Sequence, residues 1–107
     1  MAKNLEFVLL LDCYGELLTD RQRNIAELYY NEDLSLSEIA QLEGITRQAV
    51  SDSLKHSELM LLQTEQKLGM AQRLQCVRTC LEQILASCQT KNISEISELA
   101  ESGLQLL

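Results

Sequence analysis

The chain has 107 residues, enough for one small domain. Its 9 Lys and Arg against 16 Asp and Glu leave a net charge of −7, which excludes nucleic-acid binding by bulk electrostatics, because counterion release needs clustered cations. Its 22 Leu against 9 Ile and Val, with no Pro, argue against a sheet protein, and 46% hydrophobic content argues against a disordered tail, which points to a small, acidic, all-helical binding or adaptor protein.

The first predicted helix, Leu5 to Leu18, is apolar on nearly every side, as expected of a helix buried among several neighbours or in a dimer interface. A second starts at Thr19, an N-cap with Gln22 at the capping-box position, carries Ile25, Leu28 and Tyr29 inward, and ends at Asn31-Glu32-Asp33. Ser35 and Glu38 form a second capping box, opening a third helix that stops at Gly44, where a helix C-terminus favours a residue free to take positive φ. Thr46 caps a fourth helix, which meets no stop signal before Gly69. Beyond it, Met70, Leu74, Val77, Leu81, Ile84 and Cys88 recur at heptad intervals. Ser53–Leu68 and Met70–Gln89 are expected to pair as an antiparallel hairpin, and a last helix follows Asn92. No linker is long enough to separate two domains. The expectation is one domain, with a helix-turn-helix unit over about residues 1–56 and a helical extension over about 57–107.

No signal peptide is expected, since Asp12 interrupts the apolar patch from Phe7 to Leu11 and no small-residue cleavage site follows. No stretch reaches the length of a membrane span, so the cytoplasm is the expected location and no membrane partner is expected. Cys13, Cys76, Cys80 and Cys88 then read as reduced thiols rather than a disulfide framework.

The segment from Ser35 to His56 has the grammar of a helix-turn-helix. Ala40 is small where a second helix crosses, Gly44 sits in the turn, and Ile45 and Val50 fill the space between the helices. Thr46 caps the recognition helix and presents Arg47 and Gln48 at the end that enters a major groove. Arg47 suits guanine and Gln48 adenine. Lys55 and Thr46 suit phosphates, Ser51 shares their face, and Arg21 and Arg23 are the other basic pair nearby. Residues 1–56 hold 5 basic and 10 acidic side chains, a net of −5, whereas Thr46–His56 carries a local +1 from Arg47 and Lys55 against Asp52. DNA or RNA contact is therefore expected to be weak and salt-sensitive.

These residues resemble the YlxM family of small bacterial proteins. The resemblance is carried by Leu18-Thr19-Asp20-Arg21-Gln22, Leu28-Tyr29-Tyr30, Asp33-Leu34-Ser35-Leu36-Ser37-Glu38-Ile39-Ala40 and Gly44-Ile45-Thr46-Arg47-Gln48-Ala49-Val50, and is specific over about Tyr14 to Leu68. It implies an all-helical fold with a helix-turn-helix like region four of the sigma factors, of winged-helix-like type, and a nucleic-acid-binding or regulatory role. It also implies a link to the signal recognition particle pathway. The family usually has an aromatic residue before the turn glycine, where this chain has Glu43; either Leu42 takes over its packing or the turn is looser.

Other chemistry finds little support. Cys76 and Cys80 are four apart and could form half a metal site, but read more simply as small hydrophobes beside the heptad seam. His56 has no metal-spaced partner, and Tyr30 sits at an edge where it could stack on a base. No phosphate loop, carboxylate pair or nucleophile elbow appears, so neither a cofactor nor an enzymatic reaction is expected. Two readings remain. One is a DNA-binding regulator using Thr46, Arg47, Gln48, Ser51 and Lys55. The other is an adaptor that docks on the signal recognition particle protein or its RNA. The over-apolar first helix and the heptad seam point to a homodimer.

Overall fold

A computed structural model describes residues 3–90 and 92–107. The helices are α1 (Leu5–Tyr14), α2 (Asp20–Tyr30), α3 (Leu36–Glu43), α4 (Arg47–Leu68), α5 (Met70–Thr90) and α6 (Ile93–Gln105), and no strand occurs among the described residues. Two compact units result, Met1–Leu68 and Gly69–Leu107.

In the first unit the local signals act as read. Both capping boxes form: Thr19 accepts from the Gln22 backbone and Ser35 from the Glu38 backbone, and each N3 side chain reciprocates. Gly44 takes the left-handed conformation at φ 66°, and its N–H donates to the Ala40 carbonyl. The first helix is shorter than expected. It ends at Tyr14, where Gly15 caps it, and a 3-10 turn over Gly15–Leu17 leads to extended Leu18. Glycine is a poor helix former and a favourable place to stop, which the apolar pattern alone concealed. α1 is buried on one side, through Leu10, Leu11 and Tyr14, while Leu5 and Leu9 remain exposed.

The core gathers on α4. Val50, Leu54, Ser57 and Leu61 recur at intervals of four, three and four, and all four are buried. α1, α2 and α3 each pack on α4, contributing Leu10, Leu11, Ile25, Ala26, Ile39 and Ala40 to the core. Two hydrogen bonds fasten the same helix from outside the apolar row. The Tyr30 hydroxyl donates to Glu58 at 2.5 Å and the Tyr14 hydroxyl to Glu65 at 2.6 Å, one helical heptad apart. Burial and the Glu58 carboxylate push the Tyr30 phenol well above its ordinary range.

Past α2 the chain turns through Asp33 at φ 56°, with the Leu34 N–H returning to the Leu28 carbonyl. Lys3 holds this turn. Its ammonium donates to the Tyr29 and Leu34 carbonyls, both at 2.6 Å, pairs with Asp33 at 3.4 Å, and lies 3.6 Å from the Tyr29 ring centroid. A lysine at a helix C-terminus satisfies carbonyls left without intrahelical donors.

The second unit corrects one expectation. The helix that pairs with α5 is α6, which turns back along it, whereas α4 commits its apolar row to the first unit. The α5–α6 contact runs through small residues. Cys80 and Ser87 are the buried residues of α5, the Cys80 thiol donates to the Leu99 carbonyl at 2.7 Å, and a Cβ at Gly103 would come within 3.3 Å of the Cys80 sulfur. The heptad series is not this contact. Met70, Leu74, Leu81 and Cys88 are exposed and only Val77 and Ile84 are half-buried, because small side chains at Cys80, Ser87 and Gly103 let the helices approach along a neighbouring face.

Replacing Gly44 by Ala puts a Cβ in the left-handed region and should lower stability by about 1–2 kcal/mol in denaturant unfolding, although no side chain crowds the site. In a spectrophotometric titration, Tyr30 should stay protonated above the ordinary phenol range. Its raised folded pKa means that the stabilisation is complete below about pH 10 and is lost as pH rises further. Tyr30→Phe should flatten that alkaline decline.

Candidate nucleic-acid interface

Ala40 is buried where α3 and α4 meet, and Val50 and Ile39 are fully enclosed. The link between them is short: the Ile45 N–H donates to the Ala40 carbonyl at 3.1 Å. Thr46 then caps α4, accepting from the Ala49 N–H at 3.0 Å. Because Val50 and Leu54 anchor one side of α4, the other side is set by the helical repeat. Gln48, Asp52 and Lys55 are exposed there and Ser51 is half-buried, whereas Thr46 and Arg47 lie one turn before Val50 on its own side and are exposed at the helix start.

Gln48 and Asp52 stand one helical turn apart, a spacing at which their side chains can meet. Gln48 donates through Nε2 to the Asp52 carboxylate at 3.0 Å, one turn away. The carboxylate thus orients the amide, whose carbonyl oxygen and second N–H stay available, the pair of groups that an adenine edge requires. Asp52 also keeps a negative charge on the face, which opposes phosphate approach.

Arg21 is exposed in the first turn of α2. Arg23 belongs to another surface. It lies in a recess with Leu11, Asp12, Gly15, Glu16, Glu27 and Asn31, and meets Asp20 at 3.4 Å, so acidic neighbours absorb its charge. His56 is exposed. Tyr30, expected at an edge, has its hydroxyl on Glu58 and its ring edge-on to Tyr29 at 4.9 Å, so both tyrosines serve the packing of the unit.

The position before the turn glycine departs from both sequence expectations. Leu42 is 67% exposed and does not replace the usual aromatic residue. Nor is the turn loosened: Gly44 keeps its left-handed geometry, and half-buried Glu43 accepts from the Asn24 side chain of α2 at 2.5 Å. A polar tie thus stands where an aromatic contact was expected. Cys76 is exposed and Cys80 buried, and no group of three or more metal-capable side chains occurs among the described residues.

Two helices joined by a left-handed glycine, the second capped and presenting an exposed polar face, define a helix-turn-helix protein. Residues 1–101 match the model of a family described as "UPF0122: Putative helix-turn-helix protein, YlxM / p13 like", and the chain belongs to that family. It is similar to UPF0122 proteins of Clostridium kluyveri (49% identity over 70 residues, 65% of this chain and 63% of the relative) and Desulforamulus reducens (57% over 65 residues, 61% and 56%). It is also similar to one of Acetivibrio thermocellus (42% over 97 residues, 91% and 83%). The chain thus spans less than two thirds of the length of the first two relatives. No helix among the described residues is long and apolar enough to cross a membrane.

Asp52→Ala should separate orientation from repulsion. If this face meets duplex DNA, the variant should bind mixed-sequence duplex more tightly, because a like charge is removed, and lose preference among sites differing by one A·T pair, because Gln48 is no longer held. Competition binding with paired oligonucleotides measures both.

Proposed function

We propose that the protein is a DNA-binding regulator that enters the major groove with the N-terminal turns of α4. The observation that carries this reading is the polar start of α4 beside a fully buried Val50, with Thr46 and Arg47 exposed at the helix end and Gln48, Ser51 and Lys55 on the adjoining face. In this reading Arg47 and Gln48 meet base edges, while Thr46 and Lys55 meet phosphates. Exposed Arg21 adds a further phosphate contact, and Arg23 contributes only if it leaves its acidic recess. With few cations, affinity for mixed-sequence DNA falls in the ordinary non-specific range, about 1–100 μM, and drops steeply with salt. The protein acts in the cytoplasm and catalyses no reaction.

A second reading rests on Asp52 within that face and on the excess of acid over base in residues 1–56. Here the helix-turn-helix is a docking module through which the chain modulates the signal recognition particle, by contact with its protein or its RNA.

Fluorescence anisotropy on labelled duplex distinguishes the two. For a DNA-binding regulator, Arg47→Ala and Lys55→Ala each weaken binding; Arg47→Ala also relaxes sequence preference, and Lys55→Ala lowers the slope of log affinity against log salt by about one. If the wild-type chain shows no duplex affinity at low salt yet captures purified signal recognition particle protein, the DNA reading is overturned in favour of the docking module.

A further inference from the structure

The second unit is a hairpin with almost no core of its own. In α5 only Cys80 and Ser87 are buried, and α6 buries no residue. Meanwhile Met70, Leu74, Leu81 and Leu85 on α5, and Ile93, Leu104 and Leu107 at or beyond the ends of the α6 helix, stand 48–82% exposed. Segments below about 40 residues rarely fold without a staple, a metal or a partner, and Gly69–Leu107 is of that size. No disulfide and no cluster of metal-capable side chains is found among its described residues.

We infer that this hairpin is completed by a second copy of the chain, the two α5–α6 pairs closing into an antiparallel four-helix bundle. The spacing of the exposed series is that of a helix-packing seam. Met70, Leu74, Val77, Leu81, Ile84 and Cys88 follow intervals of four and three, which insert side chains between those of a facing helix. Since α6 uses the neighbouring face through Cys80, Ser87 and Gly103, Leu74 and Leu81 of the seam lie exposed outside that contact.

Charge indicates which molecule. α5 carries Arg73 and Arg78 against Glu82, a net of +1, whereas α6 carries Glu95, Glu98 and Glu101 with no base, a net of −3. Neither Arg73 nor Arg78 forms an ion pair with these glutamates among the described residues. In an antiparallel pairing about a two-fold axis, the basic α5 of one copy runs beside the acidic α6 of the other, and the same pairing recurs on the opposite side. Seven exposed apolar side chains per copy also offer area approaching the roughly 800 Å² that each partner contributes to a stable interface. This pairing needs no nucleic acid and stands apart from the function proposed above.

Sedimentation equilibrium of the full chain at micromolar concentration, in nucleic-acid-free buffer, tests the inference. The wild type should be a dimer. Leu74→Glu/Leu81→Glu should be monomeric with unchanged helical circular dichroism, because both side chains are exposed in the single chain, whereas Leu9→Glu on α1 should remain dimeric. A charge-reversed pair removes any dependence on apolar substitutions. Arg73→Glu/Arg78→Glu and Glu98→Lys/Glu101→Lys should each dimerise at least about tenfold more weakly alone, a loss of about 1.4 kcal/mol, and recover when mixed. A monomeric wild type, a dimer abolished by Leu9→Glu but not by the α5 changes, or a mixture that fails to recover would each overturn it.

Discussion

The first unit depends on one helical row. Val50, Leu54, Ser57 and Leu61 make α4 a spine on which three helices pack, and the geometry of the candidate interface follows from it. A helix has one rotational setting about its axis. Once these four residues point inward, Gln48, Ser51, Asp52 and Lys55 fall on another face, while Arg47 stands on the buried row itself and is exposed at the first residue of the helix. The polar face is therefore positioned by apolar residues that would never touch a ligand. The tyrosine–glutamate bonds at Glu58 and Glu65 add a directional lock, because a hydroxyl bonded to a carboxylate tolerates little rotation or sliding.

What could be read from sequence was whatever the chain encodes locally. The capping boxes at Thr19 and Ser35, the asparagine cap at Asn92 and the glycine turns at Gly44 and Gly69 involve residues a few positions apart, so spacing reveals them. The long reach of α4 was equally plain, because nothing between Thr46 and Gly69 interrupts it. Hidden from that reading were the contacts linking distant residues. Lys3 on the carbonyls of Tyr29 and Leu34, Tyr14 on Glu65 and Asn24 on Glu43 carry no periodic signal, since each needs a side chain to meet a group that only the fold brings near. The pairing of α5 with α6 was missed for a related reason. Large apolar residues at heptad spacing attract notice, yet helices come closest where side chains are smallest, at Cys80, Ser87 and Gly103.

The candidate site was legible in position but less so in chemistry. Gln48, Ser51 and Lys55 share a face with Asp52, and Thr46 and Arg47 stand exposed at the helix start. The tie between Gln48 and Asp52 changes the meaning of both: the acid that looked only repulsive also aims the amide. Arg23 shows the converse. It counted toward a basic patch by charge alone, yet its surroundings in the fold are acidic. Net charge sets how strongly a chain is drawn to a polyanion, whereas local partners decide which cations remain free to act.

The distance along the chain between α1 and its partners has a consequence for synthesis. Tyr14 meets Glu65, a separation of 51 residues, so α1 leaves a ribosome well before the helix it packs on and is among the last to find its place. At about 5–20 residues per second, that interval leaves roughly 3–10 s during which a segment rich in leucine has no α4 to cover it. The nascent chain therefore presents its most apolar helix to the surroundings before the spine exists, and assembly of the first unit is gated by completion of α4 rather than proceeding helix by helix from the N-terminus.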